Sequence, residues 1–260
     1  MASDNGERAR RYPLRAPGWE DVPGLIHGFL GRAHALPPGP FRRDDLTRAL
    51  RAAGEEPAGV LAARQVHGNG VLAPEDLEVC ADQATAMPAD LPAGDALVSA
   101  SADLVLTIRT ADCAPVLLAA PRARAVAAVH AGWRGLFAGV VERAVAALRD
   151  RYDARPDEIR AAIGPAIGGC CYEFGAEHRP AFRAAFGAAA DDAWIEGPPG
   201  TRPHLELRTL AGVALRAANI PAGAIAVVGP CTAEHPGELH SYRRDGDRAG
   251  RQISYIGWRA

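Results

Sequence analysis

Four short apolar runs follow one another in the middle of this chain: Ala96–Ser99, Leu104–Arg109, Val116–Ala120 and Ala125–His130. Runs of this length, bounded by polar and glycine-bearing turns, read as buried strands. Two of them end in reactive side chains. Leu104–Arg109 leads into Thr110-Ala-Asp-Cys-Ala-Pro115, and Ala125–Val129 leads into His130-Ala-Gly-Trp-Arg-Gly135. Side chains at strand ends project from a rigid sheet into a crevice, which is where chemistry collects in α/β proteins.

The flanking pattern completes an α/β reading. Val141, Ala144, Val145 and Leu148 recur at helical spacing, with Glu142, Arg143 and Arg149 on the opposite face. Further strands are predicted over Gly24–Leu30, Val60–Val66, Ile159–Ile163, Ala224–Val228 and Gln252–Ile256. Helices are predicted over Asp45–Ala53, Ala176–Phe186 and Leu207–Ala218. Ala33–Pro40 reads as a Pro/Gly loop and Glu75–Ala93 as a polar connector. Strands in runs with helices interspersed predict mixed rather than all-parallel sheets. Residues 1–23, rich in Arg, Pro and Gly, read as an N-terminal arm, and residues 24–260 as one catalytic domain.

Composition removes several function classes. Lys and Arg total 29 against 31 Asp and Glu, a formal charge of −2, so no basic stripe for nucleic acid or membrane surface is expected. Every basic residue is arginine, which excludes a Schiff-base lysine and a P-loop lysine. Any phosphate must be held by arginine, through its bidentate fork. No apolar stretch reaches the roughly 18 residues of a membrane helix, and the first residues carry no apolar signal segment, so a cytoplasmic location is expected. Five cysteines, an odd number, make disulfides improbable. Cys80 lies in a polar stretch and reads as incidental. Cys170, Cys171 and Cys231 lie in segments that read as packing turns and are expected to be structural rather than ligands.

Cys113 and His130, with His67 in Arg64-Gln-Val-His-Gly68, remain as the chemistry-bearing set. One cysteine and two histidines suit a borderline metal such as zinc, or a cysteine nucleophile with its base. Arg134, Arg243 and Arg244 are the candidate anion binders, with Asp245 placed to hold one of the last two.

Several segments together resemble a known family: Gln65-Val-His67, Thr110–Pro115, His130–Gly135, Ile163-Gly-Pro-Ala-Ile167 with Cys170-Cys-Tyr-Glu173, Cys231-Thr232, and Ser241-Tyr-Arg-Arg-Asp-Gly246. They occur in the order found in the YfiH-like laccase-domain family, also labelled polyphenol oxidase, peptidoglycan editing factor and purine nucleoside phosphorylase. The resemblance covers roughly residues 24–258. It implies an α/β sandwich with mixed sheets flanked by helices. It implies a catalytic metal site at His67, Cys113 and His130, with zinc as the ion and copper as an alternative. The implied substrates are a purine nucleoside and phosphate; the phosphate is expected near the His130–Gly135 turn, held by Arg134 or by Arg243 and Arg244. The implied reactions are phosphorolysis of adenosine, inosine, guanosine or methylthioadenosine, and deamination of adenosine. A monomer or homodimer is expected. The chain departs from the family near its first helix, where Arg32-Ala-His-Ala-Leu-Pro-Pro38 replaces a Gly-Gly-Val-Ser-like loop. An Asn-Arg pair is also missing there, with Arg43 or Arg48 as the available substitute.

Other readings stand beside this one. A metal-free hydrolase would use Cys113 as nucleophile and His130 as base, which suits editing of peptidoglycan precursors. A copper-loaded polyphenol oxidase is opposed by the absence of any His-x-His pair among eight histidines and by the presence of only Met1 and Met87 as thioethers. A non-enzymatic binding role is the fourth.

Overall fold

The computed structural model describes residues 12–76, 91–102, 104–197 and 199–259. Cys80 and most of the 75–93 connector lie outside the described residues. In chain order the strands are β1 (Leu25–Phe29), β2 (Gly59–Leu61), β3 (Val71–Leu72), β4 (Ala96–Ser99), β5 (Leu104–Thr110), β6 (Ala114–Ala120), β7 (Ala125–Ala131), β8 (Arg160–Ile163), β9 (Trp194–Ile195), β10 (His204–Leu205), β11 (Ile225–Val227) and β12 (Gln252–Trp258). The helices are α1 (Arg43–Ala52), α2 (Trp133–Phe137), α3 (Val140–Tyr152), α4 (Arg179–Phe186), α5 (Leu207–Ala217) and α6 (Tyr242–Asp245), with short 3₁₀ turns between.

Two mixed sheets carry the architecture. One has the order β1-β12-β5-β2 and the other β11-β8-β6-β7-β4-β3; β9 and β10 form a separate pair. Within the six-stranded sheet, β4–β7–β6–β8 are antiparallel neighbours and the two edges, β3 on β4 and β11 on β8, are parallel.

The alternation of side chains along each strand sorts the core into layers. On β7, Ala125, Ala127, Val129 and Ala131 face one cluster together with Val141, Ala144 and Leu148 of α3 and Leu210 and Ala214 of α5. Val126 and Ala128 of the same strand face the other sheet, meeting Leu106 and Ile108 of β5 and Ile256 and Trp258 of β12. The far side of the smaller sheet is covered by α1, whose Leu46 and Leu50 pack on Val60, Ile253 and Tyr255. β6 and β7 are therefore buried on both faces along their full length. That is why they read as continuous apolar runs instead of alternating ones. Residues 12–23 lie against β1: Leu14 bridges Phe29, the Ala16 N–H donates to His27 Nε2 at 2.9 Å, and Trp19 is buried.

The structure corrects the sequence reading in two places and refines it in a third. The strand expected over Val60–Val66 stops at Leu61. Beyond it the backbone N–H groups of Val66, His67 and Gly68 all turn onto the Asp95 carboxylate, which no strand ladder allows. The helix after His130 is two helices, α2 and α3, divided at Gly139, whose φ of +79° suits glycine. The segment Tyr242–Asp245, a turn in the sequence, is a single turn of helix, capped by Ser241 Oγ accepting the Arg244 N–H at 3.2 Å.

Candidate active site

Three chain segments meet where β5 and β7 end and β6 begins. The turn from β5 to β6 carries Asp112 and Cys113, His130 is the penultimate residue of β7, and the bend after β2 carries His67. Antiparallel pairing sets Pro115 opposite His130 and Ala114 opposite Ala131, so Cys113 emerges beside the histidine. The donor atoms of His67, Cys113 and His130 lie within 4.8 Å of one another. The two imidazoles meet edge to face, with centroids 4.8 Å apart. A Cβ on Gly132 would stand 2.8 Å from Cys113 Sγ and 3.3 Å from His67 Cδ2, so only glycine leaves room for the cluster at that point.

Asp95 organises the site from behind. Its side chain has no exposure, and its Oδ1 meets His130 Nδ1 at 2.8 Å. The same carboxylate accepts the N–H groups of His67 at 2.9 Å and Gly68 at 2.7 Å. Burial alone would raise the Asp95 carboxyl, but the His130 hydrogen bond and these N–H donors hold it below the usual range. With Nδ1 engaged, His130 presents Nε2 to the cluster, the arrangement that fixes tautomer and ring plane in metal-ligating histidines. Burial also opposes ionisation of Cys113, yet the neighbouring His130 charge and hydrogen bonds from both histidines lower its thiol to about 6. The His130 imidazole moves the other way: desolvation opposes its charge, but Cys113 and Asp95 outweigh that and raise it to about 9. The cysteine is thus poised as thiolate, the form in which it acts as ligand or nucleophile.

Two residues here hold left-handed backbone conformations without being glycine: His67 (φ +60°) and Asp112 (φ +91°). Both are held by hydrogen bonds. His67 is fixed through Asp95. Asp112 accepts the Thr232 hydroxyl at 2.5 Å and the Arg243 N–H at 2.6 Å, and its carbonyl accepts the Ile167 N–H at 2.9 Å. Strain of this kind persists where surroundings over-determine it, and it clusters at functional sites.

The cluster forms the floor of a cavity of about 640 Å³, lined also by Arg109, Arg134, Arg243 and Arg251 and by Trp133, Tyr172 and Tyr242. Arg134 lies over the Trp133 ring at 4.5 Å, and Arg243 over Tyr172 at 4.9 Å. Among the described residues neither guanidinium has a carboxylate partner within salt-bridge distance. Arg109 is stacked on Phe41 at 3.8 Å; burial, then the nearby Arg251 charge, lowers it to about 9. Its Nη1 and the hydroxyl of Thr110 are buried without a hydrogen-bond partner among the described residues.

The sequence-predicted residues are therefore divided. His67, Cys113, His130, Arg134 and Arg243 line the cavity. Arg244 does not: its guanidinium is spent on the carbonyls of Thr232, Ala233 and Leu239 and on Asp245. Arg43 and Arg48 lie on α1, bonded to the Val60 carbonyl and to Asp45, and are not among the lining residues. Sequence reasoning missed Asp95, Arg109 and Arg251 as site residues. Asp95 opens the β4 run directly after Gly94, a polar residue at a buried strand start, which is the one local signal available. Of the other cysteines, Cys231 is buried in the core and Cys171 packs against it, whereas Cys170 is exposed.

Residues 43–259 match the family described as multi-copper polyphenol oxidoreductase laccase, and the chain belongs to it. Among its relatives is a protein of Deinococcus radiodurans named purine nucleoside phosphorylase, 35% identical over 94% of this chain and 92% of its own. Another is purine nucleoside phosphorylase YfiH of Escherichia coli, 36% identical over 84% of this chain and 81% of its own. The crystal structure of YlmD from Geobacillus stearothermophilus matches 95% of this chain and 97% of its own with a TM-score of 0.81 at 27% identity.

Proposed function

We propose that this protein is a metal-dependent purine nucleoside enzyme. It cleaves the nucleoside with phosphate and also deaminates adenosine, using a zinc ion held by His67, Cys113 and His130. The observation that carries this reading is a single cavity joining that cluster to four arginines and to two buried polar atoms without partners. The names of the relatives support the substrate class.

The donor set suits zinc. One thiolate and two imidazoles give three protein ligands and leave a position open to the cavity, the pattern of catalytic rather than structural sites. Burial falls from His130 through Cys113 to the exposed His67, so the cluster opens on one side. When bound, the ion supplies Lewis acidity at the cavity floor.

The chain's own groups do the rest. Arg134 and Arg243 are laid flat on aromatic rings, which fixes each guanidinium plane while leaving N–H groups for a phosphate. Arg109 and Thr110 line the same cavity, and each carries a buried polar atom that has no hydrogen-bond partner among the described residues. In phosphorolysis a phosphate oxygen bonds to ribose C1′ as the C1′–N9 bond breaks, and the bonding pair leaves with the purine. Positive charge develops on the ribose, and a phosphate held by arginines stands next to it. In deamination water replaces the amino group of adenosine, giving inosine and ammonia without phosphate.

Incubation with adenosine, with and without phosphate, tests the proposal by separation of adenine, inosine and hypoxanthine. Adenine that appears only with phosphate, and inosine in both conditions, are the expected products. No product from any purine nucleoside overturns it. The second reading, a metal-free Cys113–His130 hydrolase, draws on the thiolate–imidazolium pair. His67→Ala separates the two: activity surviving that change with the ion gone favours the hydrolase. A multi-copper oxidase finds little support here. Among the described residues only two groups of side chains could hold an ion, and only one contains histidine.

A further inference from the structure

The second of those groups lies outside the active site. We propose that Cys170, Cys171, Cys231 and Glu234 form a structural site for a thiophilic divalent cation of the zinc type. The proposal does not rest on the purine nucleoside reading.

The geometry comes first. One donor atom from each of the four residues lies within 4.8 Å of all the others. A tetrahedral zinc site, with Zn–S near 2.3 Å, sets its sulfurs about 3.8 Å apart. The observed cluster therefore needs only a small contraction of side chains. Two separate segments supply the donors, and backbone bonds tie them together. Ala166 pairs with Cys231 in a parallel bridge, and its carbonyl accepts the Thr232 N–H at 3.0 Å. The Gly168 carbonyl accepts the N–H groups of Cys171 and Tyr172, both at 3.0 Å, which curls the 168–172 turn so that adjacent cysteines converge.

The hydrogen bonding within the cluster anticipates a ligand. Cys170 Sγ donates to Glu234 Oε2 at 3.1 Å, so a proton occupies a place between two ligand atoms. Cys231 Sγ accepts the Gly168 N–H at 3.2 Å, the kind of backbone donor that supports a ligating thiolate. Binding an ion releases the thiol protons to solvent and leaves that N–H bond intact. Exposed Cys170 and Glu234 mark the entry side, and buried Cys231 the floor. Four protein ligands leave no open position, so the site braces structure and does no chemistry. Three sulfurs select against magnesium and calcium.

The brace has something to hold. Thr232 follows Cys231 and gives its hydroxyl to Asp112, the strained residue before Cys113, and Asp112 in turn accepts the Arg243 N–H. An ion at Cys231 therefore steadies the segment that fixes both the active-site turn and one arginine of the cavity.

The test uses full-length Cys113→Ala protein, which lacks the active-site thiolate, stripped with chelator under a non-thiol reductant. It is titrated with Co²⁺ and then with Zn²⁺. One equivalent per chain should be retained through gel filtration, with a sulfur-to-cobalt charge-transfer band, and zinc should raise the Tm. Adding Cys170→Ser or Glu234→Gln, both exposed and so harmless to folding, should weaken binding at least about tenfold and leave the metal-free Tm unchanged. Loss of the band in Cys113→Ala/Cys170→Ser locates the ion. The proposal is overturned if Cys113→Ala retains no ion, or if its ion is indifferent to both added substitutions. It also fails if non-reducing mass spectrometry finds two of the three cysteines joined as a disulfide in protein purified without chelator.

Discussion

The floor and the mouth of the cavity are built on opposite plans. On the floor, His130, Cys113 and His67 stand at the ends of paired strands or hang from one buried carboxylate, Asp95. At the mouth, Arg134 and Arg243 are exposed and rest on aromatic faces, and Arg243 makes only long hydrogen bonds, at 3.4 and 3.5 Å, to the Glu173 carbonyl. The contrast follows from what each has to hold. A reacting centre gains from groups fixed before substrate arrives, because reorganisation during the reaction costs rate. An anion clamp must admit and release its ligand, and a guanidinium on a ring keeps its plane while the side chain can still move.

Breaking the floor should have the largest effect. Asp95→Asn removes the charge that orients His130 and that gathers three backbone N–H groups. Metal affinity at the active site should fall 10- to 100-fold, and stability by about 3 kcal/mol. Equilibrium dialysis and chemical denaturation measure the two. Wild-type metal affinity in that variant would mean Asp95 does not position the ligand. Breaking the mouth should leave the ion alone. Arg243→Ala keeps the backbone N–H bond to Asp112 and removes only the guanidinium. The phosphate KM should rise about tenfold, as loss of one charge-assisted hydrogen bond implies, with metal content unchanged. A normal phosphate KM together with lost metal would reverse the assignment of floor and mouth.

How legible each region was in the sequence follows the same division. Cys113 and His130 could be found because Cys113 lies in the short turn between two strand-like runs and His130 ends an apolar one, and burial of β6 and β7 on both faces is what makes their runs continuous. The helices and the mixed character of the sheets followed from periodicity, whereas the stacking of two sheets was implied by the family resemblance. Asp95, Arg109 and Arg251 could not be assigned because their role depends on a fold that joins residues far apart in sequence. Arg109 reads as an ordinary strand residue until Phe41 is stacked on it and Arg251 stands beside it. His67 was found as a residue, but its strand was not there. The Asp95 carboxylate competes for the N–H groups a strand would pair, and no local pattern around His67 signals a partner near residue 95. The sequence reading expected Cys170, Cys171 and Cys231 not to be ligands, because the two segments meet through contacts distant in sequence, the Ala166–Cys231 bridge and the Gly168 N–H on Cys231 Sγ.

Arg244 sharpens the comparison from outside the mouth. It sits beside Arg243 in the chain, yet its donors tie α6 to three carbonyls and to Asp245. Arg244→Ala should therefore lower the Tm by several degrees and leave the phosphate KM where it was. A raised phosphate KM with an unchanged Tm would extend the clamp to Arg244.

His27 gives the smallest effect and a control away from both regions. It lies on β1 with its Nε2 accepting the Ala16 N–H, so the ring must be neutral at that nitrogen. Burial, and then the Arg15 charge, lower its pKa to about 4 against the opposing influence of Glu55 and Glu20. The unfolded chain binds the proton nearer 6.5. A group depressed in this way stabilises the fold fully above about pH 6.5, and the contribution is lost as pH falls from there towards 4. His27→Gln can still accept the Ala16 N–H but does not titrate. The Tm difference between parent and His27→Gln should be constant above pH 7 and should shift by a few degrees against the parent between pH 6.5 and pH 4.5. Metal content at neutral pH should be the same in both. A difference independent of pH across that window would mean that His27 is not held neutral by the fold. The acid sensitivity of the molecule would then be sought at other groups the fold depresses, such as His240, whose pKa burial and then the Arg32 charge also lower to about 4.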